Sequence, residues 1–481
     1  MEFIQNYING ELFPPKSGRY IDNYEPSTGK VYAQIPDSDE EDVSLAVEAA
    51  RHAFEVWSKL PIETRHDHLI KVSRLIEQRM DEFAIAESKD NGKPFKLAQR
   101  VDIPRAVSNF KFYATAIMNW GSESHNMAGK AINYTLRQPL GAVGCISPWN
   151  LPLYLFSWKI APALATGNTV VAKPSEITPY TAYLLSKVCM DAGLPAGVLN
   201  IVHGLGPKAG EAIIQHKQIK AISFTGGTKT GAHIASVAAP RFKKLSLELG
   251  GKNPNIIFAD CNYDLMLKTT INSSFSNQGQ ICLCGSRIFV ESSIYEKFKQ
   301  DFVAAVDKMV VGDPLDPKTQ IGAVVSESHM EKILSYIDLA KQEGGRLLTG
   351  GERVRLEGRC ENGYFIKPTI FEGLDYQCRT NQEEIFGPVV TITPFHSEDE
   401  VLTMANSTEY GLASTMWTEN ISRAHRMAEK LDSGIVWINC WLLRDLRTPF
   451  GGVKNSGVGR EGGSEALDFF TEPKNVCIQY G

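Results

Sequence analysis

From residue 141 onward the chain alternates short apolar runs with helical stretches, and few folds accept that pattern. Residues 142–147, 169–172, 198–202 and 221–224 have the length and branched content of buried strands. Between them, residues 179–192 and 207–216 carry helical spacing. Strands joined through helices lie parallel, and a parallel sheet needs helices on both faces. A second run of this kind follows residue 282. It comprises 287–290, 294–306, 329–343, 389–394, 397–406, 422–431 and 436–439. The chain therefore reads as α/β with two such units, and its 481 residues suit two or three domains at roughly 100–200 residues each. Ahead of the first unit, residues 40–87 are helical in pattern: Ala46, Ala49, Ala50 and Ala53 recur at helical intervals, as do Leu69, Val72, Leu75 and Ile76. The first strands enclose an Asn9-Gly10 hairpin signal. Residues 468–479 read as a strand after a glycine-rich loop.

Composition narrows the class. Hydrophobic residues at 43% and charged residues at 22% are the balance of a globular protein. A net charge of −5 gives no overall attraction to nucleic acid or to an anionic membrane. No apolar run reaches the ~18 residues of a spanning helix, and the nearest candidate, 143–158, is broken by Pro148, Asn150 and Pro152. The first residues lack the basic and apolar regions of a secretory signal. Nine cysteines, an odd and dispersed set, suit reduced thiols. The expectation is a cytoplasmic protein with neither nucleic acid nor membrane as partner.

The residues able to do chemistry gather in short runs. Cys282 closes Asn277-Gln278-Gly279-Gln280-Ile281-Cys282, a polar setting that suits a loop nucleophile better than a small core residue. The Cys282-x-Cys284 pair has no second Cys or His pair at zinc spacing, so no metal is expected. Glu248 lies in Leu247-Glu248-Leu249-Gly250-Gly251-Lys252. It is either a surface carboxylate or a base for water, and the two glycines imply tight backbone passage. Asn150 sits in Ile146-Ser147-Pro148-Trp149-Asn150-Leu151-Pro152 and on sequence alone is also a plausible turn residue. Lys173-Pro174-Ser175-Glu176 follows a strand, where α/β folds present ligand-binding groups; a charged loop is the plainer reading. Phe224-Thr225-Gly226-Gly227-Thr228 is a strand, a glycine turn and a helix start near Thr228, with Gly231 one turn on. Such a start favours phosphate. Gly204-Leu205-Gly206-Pro207-Lys208-Ala209-Gly210 is nearer to the dinucleotide fingerprint but one residue too long, and reads as a turn. In Glu383-Glu384-Ile385-Phe386-Gly387 the adjacent carboxylates point apart. The ten histidines form no ligand spacing.

In this order the runs resemble those of the NAD(P)-dependent aldehyde dehydrogenase superfamily, and the likeness extends from Tyr7-Ile8-Asn9-Gly10 to Lys454-Asn455-Ser456-Gly457. The resemblance implies a Rossmann-type NAD-binding domain of residues 1–119 and 141–249, and an α/β catalytic domain of 250–450. A small oligomerisation β-flap would be built from 120–140 and 465–481, in a homodimer or homotetramer. It implies Cys282 as nucleophile and Glu248 as the base for deacylation. The Asn150 amide and the Cys282 N–H would be the oxyanion donors. It places Ile146, Ser147, Pro148, Trp149, Lys173, Ser175, Glu176, Phe224, Thr225, Gly226, Gly227, Gly231, Leu249, Glu384 and Phe386 around NAD. Glu176 would take the adenosine ribose hydroxyls and repel a 2′-phosphate. Gly227 stands where the family has serine, which removes a side-chain contact there.

Within the family, Trp441-Leu442-Leu443-Arg444, Cys282-Leu283-Cys284 and Asp102-Ile103-Pro104-Arg105 are similar to the branch acting on muconic semialdehydes. These are unsaturated C6 semialdehydes bearing a carboxylate, with the 2-amino compound favoured over the 2-hydroxy one. Arg105 and Arg444 would grip that carboxylate, and Arg447 is near enough in sequence to exchange roles with Arg444. Two other classes stay open: a cysteine hydrolase, which needs a histidine partner, and a catalytically silent structural relative.

Overall fold

The computed structural model describes residues 2–481. Asn9 and Gly10 both take positive φ, 54° and 84°, and close the expected hairpin between Asn6–Ile8 and Glu11–Phe13. The hairpin edges an eight-stranded sheet. From that edge the order runs Glu11–Phe13, Asn6–Ile8, Leu199–Ile201, Thr169–Lys173, Ala142–Ile146, Ile219–Thr225, Lys244–Glu248 and Gly457–Val458. The five strands from Leu199–Ile201 to Lys244–Glu248 are parallel. The chain first winds outward from Ala142–Ile146 through Thr169–Lys173, then returns to add Ile219–Thr225 on the other side. That reversal opens a crevice at the strand ends, which is where doubly wound sheets bind ligands.

The helices Glu40–Trp57, Ile62–Gln78 and Met80–Asn91 account for the helical periodicity of the N-terminal region. Asp39 caps the first of them in a capping box with Asp42. Helix Pro152–Ala165 runs through the core with all fourteen residues buried. A helix apolar on every side shows no stripe, so the alternating pattern hid it.

Leu249 to Asn253 carry the chain out of the first sheet into a seven-stranded one. Its order is Arg346–Thr349, Thr369–Glu372, Val389–Phe395, Arg287–Glu291, Pro254–Ile257, Ala413–Trp417 and Ile435–Ile438. All but the first strand are parallel to their neighbours. A third sheet pairs Thr471–Gln479, Ala131–Pro139 and Ser124–Met127 antiparallel, with Thr471–Gln479 largely exposed.

The tail strand starts at Thr471, later than the sequence reading of 468. Gly462 and Gly463, at φ 87° and 49°, turn the chain into helix Gly463–Phe469. Its Ala466 and Leu467 pack into the core that also holds Leu153, Phe156 and Trp158 of helix Pro152–Ala165.

Candidate active site

Helix Tyr263–Phe275 ends in a tight turn, and that turn presents Cys282. Asn277 and Gln278 sit at φ 52° and 57°, a conformation costing an L-residue roughly 1–2 kcal/mol each. Three contacts hold the turn in place. Asn277 Nδ2 donates to the main-chain oxygen of Asn150 at 2.9 Å. Gln278 Nε2 donates to Ala323 O at 2.8 Å. Gln280 Oε1 accepts the Val325 N–H at 3.0 Å. Gly279 has φ 70°, and a Cβ there would lie 2.2 Å from Gly387 O. Only glycine fits, so the approach to the thiol is rigid.

Cys282 stands where two cavities meet. One, of about 250 Å³, is lined by Trp149, Asn150, Leu249, Glu384 and Phe386. It continues past Pro148, Thr225 and Gly226 into a cavity of about 620 Å³ flanked by Ile146, Ser147, Lys173, Ser175, Glu176 and Phe224. The other, of about 470 Å³, reaches the thiol from a different side and holds Glu248, Arg105, Tyr154 and Arg444.

The side-chain amide of Asn150 is buried and donates one N–H to Gln280 O at 2.9 Å. That fixes the amide beside the cysteine turn and leaves its second N–H for a ligand. Glu248 is 4% exposed, and neither carboxylate oxygen has a hydrogen-bond partner. Burial first, then the Glu461 carboxylate, hold its carboxyl well above the usual range. Gly451 leaves room for it, since a Cβ there would come within 2.7 Å of Glu248 Oε1. Burial first, then the carboxylates of Glu384 and Glu248, push the Cys282 thiol up as well.

The two linked cavities have the chemistry of a dinucleotide cradle. Lys173 Nζ meets Glu176 Oε2 at 2.9 Å. Burial alone would raise Glu176, but the Lys173 ammonium and backbone amides outweigh it and leave Glu176 ionised. Ser147 Oγ and Thr225 Oγ1 face the cavity buried and unpartnered. Gly227 caps helix Thr228–Ala238 with no side-chain bond, so the first N–H groups stay available to phosphate. At the far end Glu384 Oε1 accepts the Gly251 N–H at 2.9 Å, and a Cβ on Gly250 would strike its carboxylate at 2.3 Å. Gly231 instead packs on Leu249, where a Cβ would meet the leucine at 2.5 Å, and it lines none of the three cavities.

Sequence reasoning passed over His329, Lys332 and the 204–210 run. His329 Nε2 lies 2.7 Å from the Phe386 carbonyl, and burial lowers the imidazole to about 4, so the neutral ring serves as donor. It fixes Phe386 at φ 62°, with its ring 5.2 Å from that of Trp149. Lys332 Nζ donates to Glu384 O at 3.2 Å. Gly206, Pro207 and Gly210, read as a mere turn, form part of the wall of the larger cavity. His329 belongs to no recurring spacing, so no sequence signal marked it.

In the 470 Å³ cavity the Arg444 guanidinium lies 4.1 Å from the Trp158 ring and 4.0 Å from that of Phe450. One nitrogen donates to the Tyr154 hydroxyl, and Nη2 is buried without a partner. Arg105 stacks over Tyr154 at 5.3 Å. Among the described residues neither guanidinium has a carboxylate partner. Arg447 is exposed and forks onto Asp445 at 2.6 Å, outside this cavity. Among the described residues no group of three His, Cys, Asp or Glu side chains is placed to hold a metal ion.

Residues 13–476 match the model of the aldehyde dehydrogenase family. The chain belongs to that family. It is 50% identical to the 2-aminomuconic semialdehyde dehydrogenase of Mus musculus over 99% of this chain and 98% of that protein. It is 46% identical to the 2-hydroxymuconic semialdehyde dehydrogenase of Pseudomonas sp. (strain CF600), over all of both chains. An NAD+ complex of the aldehyde dehydrogenase from Bacillus cereus superposes with a TM-score of 0.97 at 41% identity, covering 99% of this chain and 97% of that one. This aldehyde dehydrogenase is an NAD-dependent oxidoreductase, and the orphaned hydroxyls, open helix start and Lys173–Glu176 pair fit that cofactor. No described helix is long and apolar enough to cross a membrane.

Proposed function

We propose that this aldehyde dehydrogenase oxidises a semialdehyde bearing a distal carboxylate, 2-aminomuconate 6-semialdehyde foremost, to the dicarboxylic acid. The observation that carries this is the pair of guanidiniums, Arg105 and Arg444, in the cavity that reaches Cys282, with Arg444 Nη2 buried and unpartnered. A buried, unpaired N–H donor is costly unless a ligand completes it. An arginine forks onto a carboxylate with two charge-assisted bonds. The mouse relative supports the 2-amino compound. 2-Hydroxymuconic semialdehyde, with the same carboxylate, is the second reading and has the support of the Pseudomonas relative.

The residue roles follow from chemistry. Arg105 and Arg444 hold the carboxylate and aim the aldehyde carbon at Cys282. Cys282 Sγ loses its proton to solvent water and, as the thiolate, bonds to that carbon. Asn150 Nδ2 and the Cys282 N–H donate to the developing alkoxide, in positions fixed before substrate arrives. As the alkoxide collapses to the Cys282 thioester, the aldehyde C–H bond breaks and its hydride leaves; Lys173, Glu176, Glu384 and Phe386 would hold the NAD that would accept it. Glu248 then takes a proton from water, the hydroxide adds to the Cys282 thioester, and the acid leaves with the thiol restored.

The division into an NAD-binding unit, a catalytic unit and a flap belongs to the same reading. It is supported by the separation of the eight-stranded sheet, the seven-stranded sheet and the sheet of Thr471–Gln479, Ala131–Pro139 and Ser124–Met127. The exposed strand Thr471–Gln479 gives the flap a surface for a second copy, in a homodimer or homotetramer. All nine cysteines are free, which supports a reducing, cytoplasmic setting. The test is NADH formation with aldehydes that carry or lack a distal carboxylate. Turnover confined to neutral aldehydes would refute the substrate class.

A further inference from the structure

The main-chain oxygen of Asn150 accepts from three side chains. Asn277 Nδ2 lies at 2.9 Å, Lys93 Nζ at 3.1 Å and Asn91 Nδ2 at 3.4 Å. Lys93 is fully buried. Its ammonium also reaches Asp102 Oδ2 at 2.8 Å and Glu87 Oε1 at 3.4 Å, and both carboxylates are buried too. Glu87 in turn accepts the N–H of Leu153 at 3.4 Å, in the first turn of helix Pro152–Ala165. Asp102 closes the π-helical turn Ala98–Asp102, which leads into helix Ile103–Met118 and so to Arg105. π-turns are rare and recur at functional sites. Lys93 itself lines none of the three cavities described above, whereas Asp102 lines that of Arg105 and Glu248.

Burying an ammonium and two carboxylates is expensive, and well-packed apolar side chains would often do as well for stability alone. An apolar side chain could not hold a carbonyl oxygen, however, and a single ammonium with three acceptors can. The ammonium therefore ties the backbone of the oxyanion asparagine to the turn that carries a substrate-facing arginine.

We propose that Lys93 is a positioning residue for the chemical step. It clamps the Asn150 carbonyl and, through Asp102, the turn bearing Arg105, so that the oxyanion amide and the guanidinium keep a fixed relation. This rests on the oxyanion role proposed above for Asn150, and the experiment separates the two.

The experiment is a double-mutant cycle on the full-length enzyme, read as the single-turnover burst of NADH at a saturating concentration of a carboxylate-bearing semialdehyde, where the binding contribution of Arg105 drops out. Asn150→Ala is expected to slow the burst on the order of 10²-fold. A burst close to wild type in that variant overturns the oxyanion role and this proposal with it. With Asn150 slow, Lys93→Met is expected to cost at least about tenfold in the wild-type background and less than about twofold in Asn150→Ala, because coupled residues are non-additive. NAD affinity should be unchanged, since Lys93 lies outside the cofactor cavities. An unslowed Lys93→Met burst, or the same loss in both backgrounds, overturns Lys93 alone. If Lys93→Met does not fold, Asp102→Asn keeps the shape of the acceptor and removes its charge, and it is judged by the same cycle and the same criteria.

Discussion

Asn150 Nδ2 donates to the main-chain oxygen of Gln280 at 2.9 Å, across 130 residues of chain. The bond joins the loop after strand Ala142–Ile146 of the first sheet to the turn that carries Cys282. In the mechanism proposed above, an oxyanion amide and a nucleophile held this way would need no rearrangement when charge develops.

Cys282→Ala should abolish NADH formation while NAD still binds. In the proposed mechanism the thiol forms the covalent bond, whereas Lys173, Glu176, Glu384 and Phe386 would hold the cofactor. Calorimetric titration with NAD alongside a turnover assay checks both halves. Substantial NADH from this variant would remove Cys282 from the reaction.

Glu248→Gln should form the thioester and hydrolyse it slowly. Attack on the carbonyl needs no water, and deacylation does. Mass spectrometry during turnover should show an acyl adduct on Cys282. The sign of the pH effect follows from burial: Glu248 is held protonated beyond the usual carboxylate range. Deacylation should therefore accelerate as pH rises through its raised pKa, and the Gln variant should lose that acceleration. An adduct-free variant turning over at the wild-type rate would exclude the role.

NAD should be preferred to NADP by at least about tenfold in kcat/KM, roughly 1.4 kcal/mol. Glu176 is kept ionised by Lys173 at 2.9 Å, and a 2′-phosphate would meet that negative charge. Glu176→Gln should narrow the preference, and an unchanged ratio would show that Glu176 does not set it.

Arg444→Ala and Arg105→Ala should each cost about 1.5–3 kcal/mol of binding for an acid semialdehyde, expressed as a raised KM. A neutral aldehyde should be little affected. Arg447→Ala should change neither, since its guanidinium is taken by Asp445 outside the cavity. Equal losses of Arg444→Ala on charged and neutral aldehydes would make its role structural.

The strands of both sheets that carry continuous apolar runs were legible, because burial on two faces forces that composition. Helix Pro152–Ala165 was not, since it is buried on every side and has no stripe. Strand Pro254–Ile257 begins on proline, and Ala413–Trp417 mixes polar and apolar residues, so neither announced itself. The Cys282, Glu248 and Asn150 runs stood out as motifs. His329 did not, because its partner, the Phe386 carbonyl, is 57 residues away and is brought to it only by the fold. Lys93 was hidden for a similar reason: its carbonyl acceptor on Asn150 lies 57 residues on. In the sequence it is one more lysine beside a glycine.

The most direct test of the substrate class is kcat/KM for NADH formation with a matched pair of aldehydes, one carrying a free distal carboxylate and the other its methyl ester. With both guanidiniums engaged, the acid should exceed the ester by at least about tenfold, the value of roughly one charge-assisted interaction. Equal values, or a preference for the ester, would contradict the assignment of Arg105 and Arg444 and with it the carboxylate-bearing substrate.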